Sequence, residues 1–463
     1  MSFDEQRIRD RSLWLDTFPG PLTPRPALQG DTDCDVAIVG AGMTGLWTAY
    51  ALLDADPTLR VRVIEREIAG FGASGRNGGW VSAGIAGVAD ERAKHSGAEA
   101  VRRSERVTWD AVDWIGERVA QERIDCGFVK GGILSVARTA AQEQRIRDYV
   151  DHHRQWGWGE RDVWALGPAE IAERVAITDA RLAYFSPHGA RVNPARLARG
   201  LAEAVERKGG VIYEQTAALF LAQGRVVTEH GTFRAQHVVR ATEAFTVEFK
   251  HQARTYLPLY SLMIATEPLS DAIWDELGWR GCETISDAHH LFFYAQRTAD
   301  NRIAIGGRGA PYGLGSPVDE RYERHEGVKA RLTGTLHSAF PATRGAAITH
   351  HWGGALGVPC DWSMSVTHDR ATGLAFAGGY SGHGVAATSI SGRTLADLIL
   401  GRETELTAQP WVNHPVRKWE PEPLRWIASR AIVGIMGSSD RVEDAGASQT
   451  ARRMAVIRPF LGH

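Results

Sequence analysis

The stretch DVAIVGAGMTGLWTAYALL, residues 35–53, followed by VRVIE at 61–65, decides the fold. Its first five residues are a short apolar and mostly β-branched run, which predicts a buried parallel strand. Three glycines with the spacing G-x-G-x-x-G come next: Gly40, Gly42 and Gly45. Apolar residues then recur at helical spacing: Leu46, Tyr50 and Leu53. The glycines therefore lie where a strand turns into a helix, and a second strand follows at 61–64.

Each part of this unit suits a bound dinucleotide. Gly40 permits the tight turn, Gly42 lets the backbone approach a pyrophosphate, and Gly45 lets the helix pack closely on the strand. The helix N-terminus offers free N–H groups to phosphates. Glu65, which closes the second strand, is positioned to accept hydrogen bonds from a ribose. Flanking residues are assigned to the same site: Met43, Thr44 and Arg66. The alternative is an ordinary βαβ unit with a glycine turn.

Length and composition limit the possible classes. A chain of 463 residues predicts two or three domains, and 43% apolar with 23% charged residues is typical of a globular protein. A net charge of −2 gives no basic field for nucleic acid and no basic run for a membrane surface. No apolar run approaches the length of a membrane span, and the charged start lacks a hydrophobic signal region, so we expect a cytoplasmic protein.

Metal and disulfide chemistry are not expected. None of the four cysteines has C-x-x-C spacing, which argues against a disulfide framework or a zinc site and fits a reducing cytoplasm: Cys34, Cys126, Cys282 and Cys360. His350 and His351 are adjacent, but on a strand they face opposite sides, so joint metal coordination is not expected.

A second glycine-rich loop, GFGASGRNGGW at 70–80, follows the nucleotide unit. A plain connection needs no such density of glycines, whereas a loop of this kind lets backbone amides approach a flat or charged ligand. The candidate ligand-binding residues are Ser74, Gly75, Arg76, Asn77, Gly78 and Gly79. The alternative is a flexible solvent loop.

The segments GAGMTG, the terminal Glu65 and GASGRNGG together resemble the flavin-dependent amine and amino-acid oxidase family, which includes D-amino acid oxidase, glycine oxidase and sarcosine oxidase. Within it the chain resembles the branch around γ-glutamylputrescine oxidoreductase. The resemblance implies that the first unit binds the ADP half of FAD and that the glycine loop runs along the flavin. Some relatives attach FAD through a histidine in this loop. Arg76 and Asn77 stand here instead, so we expect non-covalent FAD.

The segment GLAFAGGYSGHGV, residues 373–385, repeats the order of strand, glycine turn and helix. A helix that begins near Gly384 would direct its N–H groups at a bound ring, and a positive dipole there favours an anionic reduced flavin. In the family this segment lies at the pyrimidine end of the flavin. The implied contacts are Gly379, Tyr380, Gly382, His383, Gly384 and Val385. His383 either adds to the positive potential or is a structural loop histidine. An NAD enzyme has no need for this second segment.

Between these segments the chain offers further candidates. The strand that ends at Thr242 resembles a family strand that meets FAD, although members usually have uncharged residues where Arg240 and Glu243 stand. The residues assigned to substrate or catalysis are His383, Trp352 and Tyr260, and Phe292 and Tyr294 are further candidates for the pocket lining. For the aromatic residues the alternative is sheet packing. A basic residue for a carboxylate or phosphonate could be Arg76, Arg297 or Arg308.

We therefore predict an α/β fold with a discontinuous, doubly wound FAD domain and a mixed-sheet α+β substrate domain. The predicted segments are a surface lead-in at 1–33, FAD-binding parts at 34–90, 185–250 and 355–402, substrate-domain parts at 91–184 and 251–354, and a C-terminal extension at 403–463. Among the predicted strands is one at 124–128.

The resemblance implies oxidation of a C–N bond in a small amine or amino acid. A hydride passes from the α-carbon to the flavin, the imine is hydrolysed by water, and O2 takes the electrons to give H2O2. Four alternatives stay open: a flavin dehydrogenase with another electron acceptor, an NAD(P)-linked dehydrogenase, a non-catalytic flavoprotein and a biosynthetic tailoring flavoenzyme. The sequence does not identify the substrate.

Overall fold

The computed structural model describes residues 3–87, 89–309 and 312–461. The strands in these ranges, numbered in chain order, are β1 (Thr32–Val39), β2 (Val61–Ile64), β3 (Trp80–Ser82), β4 (Ile133–Ala137), β5 (Trp164–Leu166), β6 (Leu182–Ser186), β7 (Gly189–Arg191), β8 (Val211–Tyr213), β9 (Ala218–Ala222), β10 (Arg225–Thr228), β11 (Gly231–Arg240), β12 (Leu257–Thr266), β13 (Thr284–Asp287), β14 (Phe293–Arg297), β15 (Ile303–Gly307), β16 (Ile348–Val358), β17 (Ser365–Asp369) and β18 (Leu374–Gly378).

The α-helices in the same ranges are α1 (Glu5–Arg9), α2 (Leu13–Asp16), α3 (Met43–Ala55), α4 (Ala89–Ser96), α5 (Ala98–Gln121), α6 (Ala140–Gln155), α7 (Pro168–Ala172), α8 (Pro194–Arg207), α9 (Asp271–Leu277), α10 (Glu326–Ala339), α11 (Gly384–Ile399), α12 (Leu424–Asp444) and α13 (Met454–Ile457). No described helix is long and apolar enough to cross a membrane.

The first sheet has the strand order β17-β18-β11-β1-β2-β8, with β9 and β10 attached to β11 as an antiparallel meander. The strands from β18 to β8 run parallel, and β17 is antiparallel at the edge. Val36 and Ile38 of β1 are fully buried, as the apolar run predicts for a central strand covered on both faces. This sheet and its helices confirm the predicted doubly wound domain.

Small residues set how closely the helices approach this sheet. A Cβ at Gly45 would collide with the carbonyl oxygen of Gly40, so only glycine allows α3 to lie this close to the turn. A Cβ at Gly392 would lie 2.7 Å from the backbone of Trp47, which brings α11 against α3 in the same way. The two helices that follow the two glycine segments are therefore packed directly on each other.

The second sheet has the order β16-β12-β15-β14-β13-β4-β6-β5 and is mixed, because β13 and β4 are parallel while the other described pairs are antiparallel. One face of it packs in a hydrophobic core with α7, α9 and α10. The opposite face turns toward the first sheet. This architecture confirms the predicted mixed-sheet second domain.

The strands of the first sheet come from the three segments predicted for FAD, and those of the second sheet from the two predicted for substrate. The boundaries predicted at 184/185 and 354/355 fall inside β6 and β16. The strand predicted at 124–128 is absent: those residues are irregular, and only Val129 makes an isolated bridge to Arg191.

The prediction of a surface lead-in was wrong for its first half. Leu13 and Trp14 of α2 are buried, because α1 and α2 pack into a core with Trp352 of the second sheet. The Trp14 Nε1 donates to the carbonyl oxygen of Asn77 at 2.8 Å, and the Ser12 hydroxyl donates to that of Gly75 at 2.8 Å. The lead-in thus supports the glycine-rich loop at 70–80 from outside.

Candidate active site

A cavity of about 2650 Å³ lies between the two sheets and is lined by residues of both and of the C-terminal segment. This volume exceeds the ~300–1,000 Å³ of ordinary ligand sites. The glycine segments singled out in the sequence open into it, so we built the site outward from them.

The first glycine turn adopts a conformation that only glycine tolerates well. Gly40 has φ +106°, and a Cβ there would lie 2.5 Å from the Ala241 carbonyl oxygen. The following helix α3 has Gly42 as its N-cap and no side-chain cap. Gly42, Met43 and Thr44 line the cavity, while Gly45 does not and serves helix packing. A helix that begins at a glycine in a cavity wall directs backbone N–H groups toward the cavity, which fits a pyrophosphate.

Glu65 presents its carboxylate to the same part of the cavity. Its Oε2 accepts the N–H of Ala41 and its Oε1 that of Glu67, both at 2.9 Å, which fixes the side chain. Burial raises the pKa of this carboxyl to about 7. Arg66 also lines the cavity, but its guanidinium pairs with Glu248 at 2.7 Å.

The residues of the loop at 70–80 have different roles: some line the cavity and others stabilise the loop. Arg76 is buried and lines the cavity; its Nε donates to the Phe71 carbonyl oxygen at 2.8 Å and its Nη1 pairs with Glu323 at 2.5 Å. Asn77 braces the loop, since its amide nitrogen donates to the Ala73 carbonyl oxygen at 3.0 Å and its Oδ1 accepts the N–H of Gly79 at 2.8 Å.

The other predicted positions of this loop divide into two groups. Those that line the cavity are Ser74, Asn77 and Gly78. Gly75 and Gly79 are absent from the lining, because the sites of their missing Cβ atoms are filled by the Gly70 carbonyl oxygen and by Gln296. The Ser74 hydroxyl accepts the N–H of Met43 at 2.8 Å, which ties the loop to the start of α3.

The second glycine segment meets the first directly. The hydroxyls of Tyr380 and Thr44 lie 2.9 Å apart, in a hydrogen bond that spans 336 positions of sequence. Gly382 has φ +106°, and a Cβ there would meet only open space. No side chain therefore separates this part of the backbone from the cavity. Gly384 and Val385 begin α11 at the same wall.

Glu243 joins this segment to two others. It is half-buried at the cavity wall, and its carboxylate accepts the backbone N–H of Gly379 at 3.0 Å and faces those of Tyr380 and Gly357. Burial raises its pKa to about 7. Thr242, just before it, lines the cavity and hydrogen-bonds Thr246 at 2.8 Å. Glu243, a charged residue that departs from the family pattern, therefore connects the ends of β11, β16 and β18.

His383 lies in the cavity wall as a neutral imidazole. Burial, and next the nearby guanidinium groups of Arg308 and Arg92, lower its pKa to about 4. Its Nδ1 is buried without a hydrogen-bond partner among the described residues. In this state it offers a hydrogen bond to a ligand, and its low pKa favours a neutral side chain over a source of positive charge.

Positive charge comes instead from Arg308, which lines the cavity with its guanidinium 4.6 Å from the Phe292 ring centre. Burial lowers its pKa to about 10, which leaves it charged at neutral pH. Tyr294 lies beside it, hydrogen-bonded through its hydroxyl to Ser261. Arg92, which the sequence did not single out because it lies in a uniformly charged helix, pairs with Glu105 at 2.6 Å at the same cavity.

Three predicted residues have their polar groups directed elsewhere. Tyr260 lines the cavity, but its hydroxyl accepts the Asp319 N–H at 2.8 Å and its ring packs in the hydrophobic core of the second sheet. Trp352 is 1% exposed and its Nε1 donates to the Arg76 carbonyl oxygen at 2.9 Å. Arg297 donates to the Trp279 carbonyl oxygen at 3.1 Å and to Asn301 at 2.8 Å.

The C-terminal extension forms one wall. Helix α12 is held at the turn before β14: the two oxygens of Asp440 accept the N–H groups of His290 (2.9 Å) and Leu291 (3.0 Å). Glu443 pairs with Arg145 at 2.7 Å and lies 3.0 Å from His290. His290, Asp440 and Glu443 have the residue types of a cation site, but these hydrogen bonds and the Arg145 charge account for the cluster.

The residues present fit FAD. Gly42 and the start of α3 suit a pyrophosphate, and Glu65 suits a ribose. Several buried polar atoms of the lining have no hydrogen-bond partner among the described residues: Arg76 Nη2, Trp80 Nε1 and His383 Nδ1. Unpaired buried donors of this kind are costly unless a ligand satisfies them.

Comparison with known proteins agrees with this geometry. Residues 35–398 match the family model DAO, described as FAD dependent oxidoreductase. The γ-glutamylputrescine oxidoreductase of Escherichia coli (strain K12) is 29% identical over 384 residues, 82% of this chain and 86% of that protein. The glycine oxidase of Geobacillus kaustophilus is 27% identical over 390 residues, 81% of this chain and 96% of that protein.

The solved structures share the fold. The crystal structure of glycine oxidase from Geobacillus kaustophilus has a TM-score of 0.69 at 20% identity and covers 83% of this chain and 99% of its own. L-proline dehydrogenase from P. horikoshii has a TM-score of 0.65 at 20% identity, with 84% and 98% covered. Sequence motif, cavity and family match agree: the chain belongs to the DAO family of FAD-dependent oxidoreductases, enzymes acting on amines or amino acids.

Proposed function

We propose that this protein oxidises the C–N bond of an amine or amino acid at the part of the cavity between His383, Arg308 and Tyr294, with the imine product hydrolysed by water and O2 as electron acceptor. The observation that carries the proposal is the meeting of the two glycine segments through Thr44 and Tyr380. It brings the nucleotide-binding turn and the ring-binding segment to one cavity. Bound FAD supplies the redox chemistry by accepting a hydride from the α-carbon.

The side chains near His383 favour the reactive form of the substrate. The buried positive charge of Arg308 disfavours a second cation, so it lowers the pKa of a bound ammonium group and promotes loss of its proton. The same guanidinium suits a carboxylate in an amino-acid substrate. Neutral His383 does not add to the repulsion and leaves Nδ1 available for a hydrogen bond.

The names of the relatives support this assignment. One is an oxidoreductase named for γ-glutamylputrescine and another is an oxidase named for glycine. Both molecules carry an amine, and they differ widely in length.

Anaerobic titration of the purified holoenzyme with a panel of amines and amino acids tests the proposal. Loss of the oxidised flavin absorbance on addition of one class is the expected result, and a flavin that no amine bleaches would refute it. Parallel measurement of O2 uptake and of dye reduction tests the electron acceptor. Oxygen uptake at the rate of flavin reduction is expected, and reoxidation by dye alone would identify a dehydrogenase.

A further inference from the structure

A second, small cavity of about 240 Å³ lies behind the loop at 70–80. Among the described residues it shares none of its lining with the main cavity of about 2650 Å³. We call it the rear cavity; its walls include Gln296 of β14, Arg191 of β7, Trp14 of α2, and Asn193 and Arg196 at the start of α8. At ~30 Å³ for each water molecule it holds about eight waters, so a small ion fits and a dinucleotide does not.

The backbone at 78–79 separates the two cavities. Tyr294 and Gln296 are two positions apart on β14 and so lie on the same face of the second sheet. A Cβ at Gly78 would lie 2.8 Å from the Tyr294 ring, and a Cβ at Gly79 would collide with the Gln296 amide. The Gln296 Nε2 donates to the carbonyl oxygens of Gly78 at 2.6 Å and of Val192 at 3.2 Å. Gln296 therefore supports the flavin side of the loop from the rear cavity.

Arg191 brings a buried positive charge to the rear cavity. The residue is 9% exposed, and its Nη1 lies 3.6 Å from the position of a Cβ at Gly127, another residue of the lining. Within the part of the chain that the structure describes, Nε is buried without a hydrogen-bond partner and no carboxylate pairs with the guanidinium. An arginine stays charged at every physiological pH. A buried charge without a counter-ion is costly, so this position favours an anion.

The other charges of the lining are balanced. Asp300, the one carboxylate among the described lining residues, pairs with Arg302 at 2.7 Å. Arg196 pairs with Asp125 at 3.1 Å through Nη1, while its Nε is buried without a partner among the described residues. With each pair counted as neutral, the charge of Arg191 remains. The rear cavity is therefore positive overall.

The start of α8 adds to this potential. This helix of 14 residues begins at Pro194, and its N-cap Asn193 accepts the Arg196 N–H at 3.0 Å through Oδ1. Its N-terminus is the positive end of the helix dipole, which favours a negative ligand. Asn193 and Arg196 both line the rear cavity. The helix dipole and the buried guanidinium thus favour the same sign of charge.

Gln296 further limits the identity of the anion. The residue is 1% exposed, and its Oε1 is buried without a hydrogen-bond partner among the described residues. Because Nε2 already donates to two carbonyl oxygens, the amide orientation is fixed and Oε1 needs a donor. A ligand that satisfies both Gln296 and Arg191 has anionic oxygens on one side and an O–H group on the other. Chloride and sulfate have no such group.

We propose that the rear cavity binds a small oxyanion that carries a proton, hydrogen phosphate or bicarbonate, between Arg191 and Gln296, and that this anion stabilises the loop at 70–80 through Gln296. The site is separate from the proposed reaction and does not depend on which amine is oxidised.

Calorimetric titration of the holoenzyme tests the site. Bound FAD then covers the start of α3, which would itself attract phosphate. At fixed ionic strength and neutral pH, phosphate or bicarbonate is expected to saturate one site per chain and to bind at least tenfold more tightly than sulfate or chloride. The tighter of the two identifies the ligand. Equal affinities of all four anions, or saturation by none, would overturn the proposal.

Variants locate the binding. Arg191→Met removes the charge and is expected to abolish the saturable binding. Arg308→Met, which removes a buried cation of the main cavity, is expected to keep it. Arg370→Met, at an exposed position, is the matched control. Binding that survives Arg191→Met would be that of an adventitious ion only and would refute the site.

Thermal unfolding distinguishes an anion contact from a structural arginine. In chloride buffer Arg191→Met is expected to be no less stable than wild type, because the unpaired buried charge is gone. Saturating phosphate or bicarbonate should raise the midpoint of wild type by at least about 2 °C and leave that of Arg191→Met unchanged. A loss of stability in Arg191→Met that is the same in all buffers would identify a structural side chain and contradict the proposal.

The rate of flavin release measures the effect on the loop. After dilution of the holoenzyme, the recovery of free flavin fluorescence is expected to be about threefold slower at saturating anion in wild type, with no anion dependence in Arg191→Met. A release rate in wild type that does not depend on the anion would overturn the effect on the loop. This measurement needs no substrate, so its outcome is independent of the proposed function.

Discussion

Replacing Glu243 by alanine tests whether the glycine segments are held by one carboxylate. The change removes an acceptor that faces three backbone N–H groups, those of Gly379, Tyr380 and Gly357. A buried donor left without a partner costs about 1–3 kcal/mol. Because Glu243 lines the cavity, water can reach part of this site and reduce the cost. We therefore expect a loss of about 3 kcal/mol in the free energy of unfolding, and about 1 kcal/mol for Glu243→Gln, which keeps one acceptor oxygen.

The pH dependence of stability gives a second signature. Burial raises the pKa of Glu243 from an ordinary value of 4.5 to about 7. Between these values the folded chain holds a proton that the unfolded chain has released, so stability falls as pH rises from 5 to 7. The shift corresponds to about 3 kcal/mol. Glu65, also raised to about 7 by burial, acts in the same direction.

Urea unfolding of the flavin-free protein at pH 5, 6 and 7 measures both effects. Between pH 5 and 7 wild type is expected to lose about 2 kcal/mol more stability than Glu243→Gln, because the substitution removes the titration of Glu243 and leaves that of Glu65 and of the histidines the same in both proteins. Glu229→Gln, at an exposed turn position, is the matched control. An unchanged slope in Glu243→Gln, or a loss below 0.5 kcal/mol (on the order of a surface substitution) in Glu243→Ala, would refute the reasoning.

Three further substitutions test the remaining contacts. Gly42→Val places a branched side chain 3.0 Å from the Ser74 hydroxyl at the pyrophosphate position, so the purified variant should retain little flavin, and a wild-type ratio of flavin to protein absorbance would contradict this. Tyr380→Phe removes the hydrogen bond to Thr44 and should lower the free energy of unfolding by about 1 kcal/mol in urea titrations; an unchanged midpoint would mean that the bond contributes nothing. Arg308→Met should lower kcat/KM at neutral pH for every amine, because the bound ammonium group then keeps its proton, and by a further factor of about 10 to 100 for carboxylate substrates, measured by anaerobic flavin reduction; equal losses for both would argue against a carboxylate contact.

The nucleotide unit could be predicted because its determinants are local. The turn requires a positive φ at residue 40, and a glycine at that position in the sequence indicates this requirement. The apolar run of β1 and the acid at the end of β2 fall within a single βαβ unit. The second glycine segment was predicted partly by the same local order and partly by resemblance to the family.

The functional face of β12 could not be predicted in the same way. Its sequence, LPLYSLMIAT, is apolar on both sides, so periodicity does not show which set of alternate residues faces a ligand. Both Ser261 and Tyr260 line the cavity, but the Tyr260 ring also packs in the core of the second sheet and its hydroxyl accepts the Asp319 N–H. A tyrosine was the more obvious candidate, and the neighbouring serine, which binds Tyr294, was overlooked.

Ser135 of β4 illustrates a stronger limit on prediction from the sequence. Ser135 lies within the apolar run ILSVA, where one serine in a buried strand suggests little. Its meaning depends on two strand registers, with Ser286 on one side and Tyr184 on the other. These residues are far apart in the chain, and a one-residue slip in either register would turn the hydroxyl to the other face. No local pattern carries that information.

The family match and the cavity do not end at the same place. The match covers residues 35–398, whereas the cavity wall continues through α12 and α13. Asp440 and Glu443 of α12 bind the turn at His290, which leads from β13 into β14. The extension therefore closes one side of the cavity and is fixed to the second sheet. The two glycine segments lie within the family match, while residues beyond it complete the cavity wall.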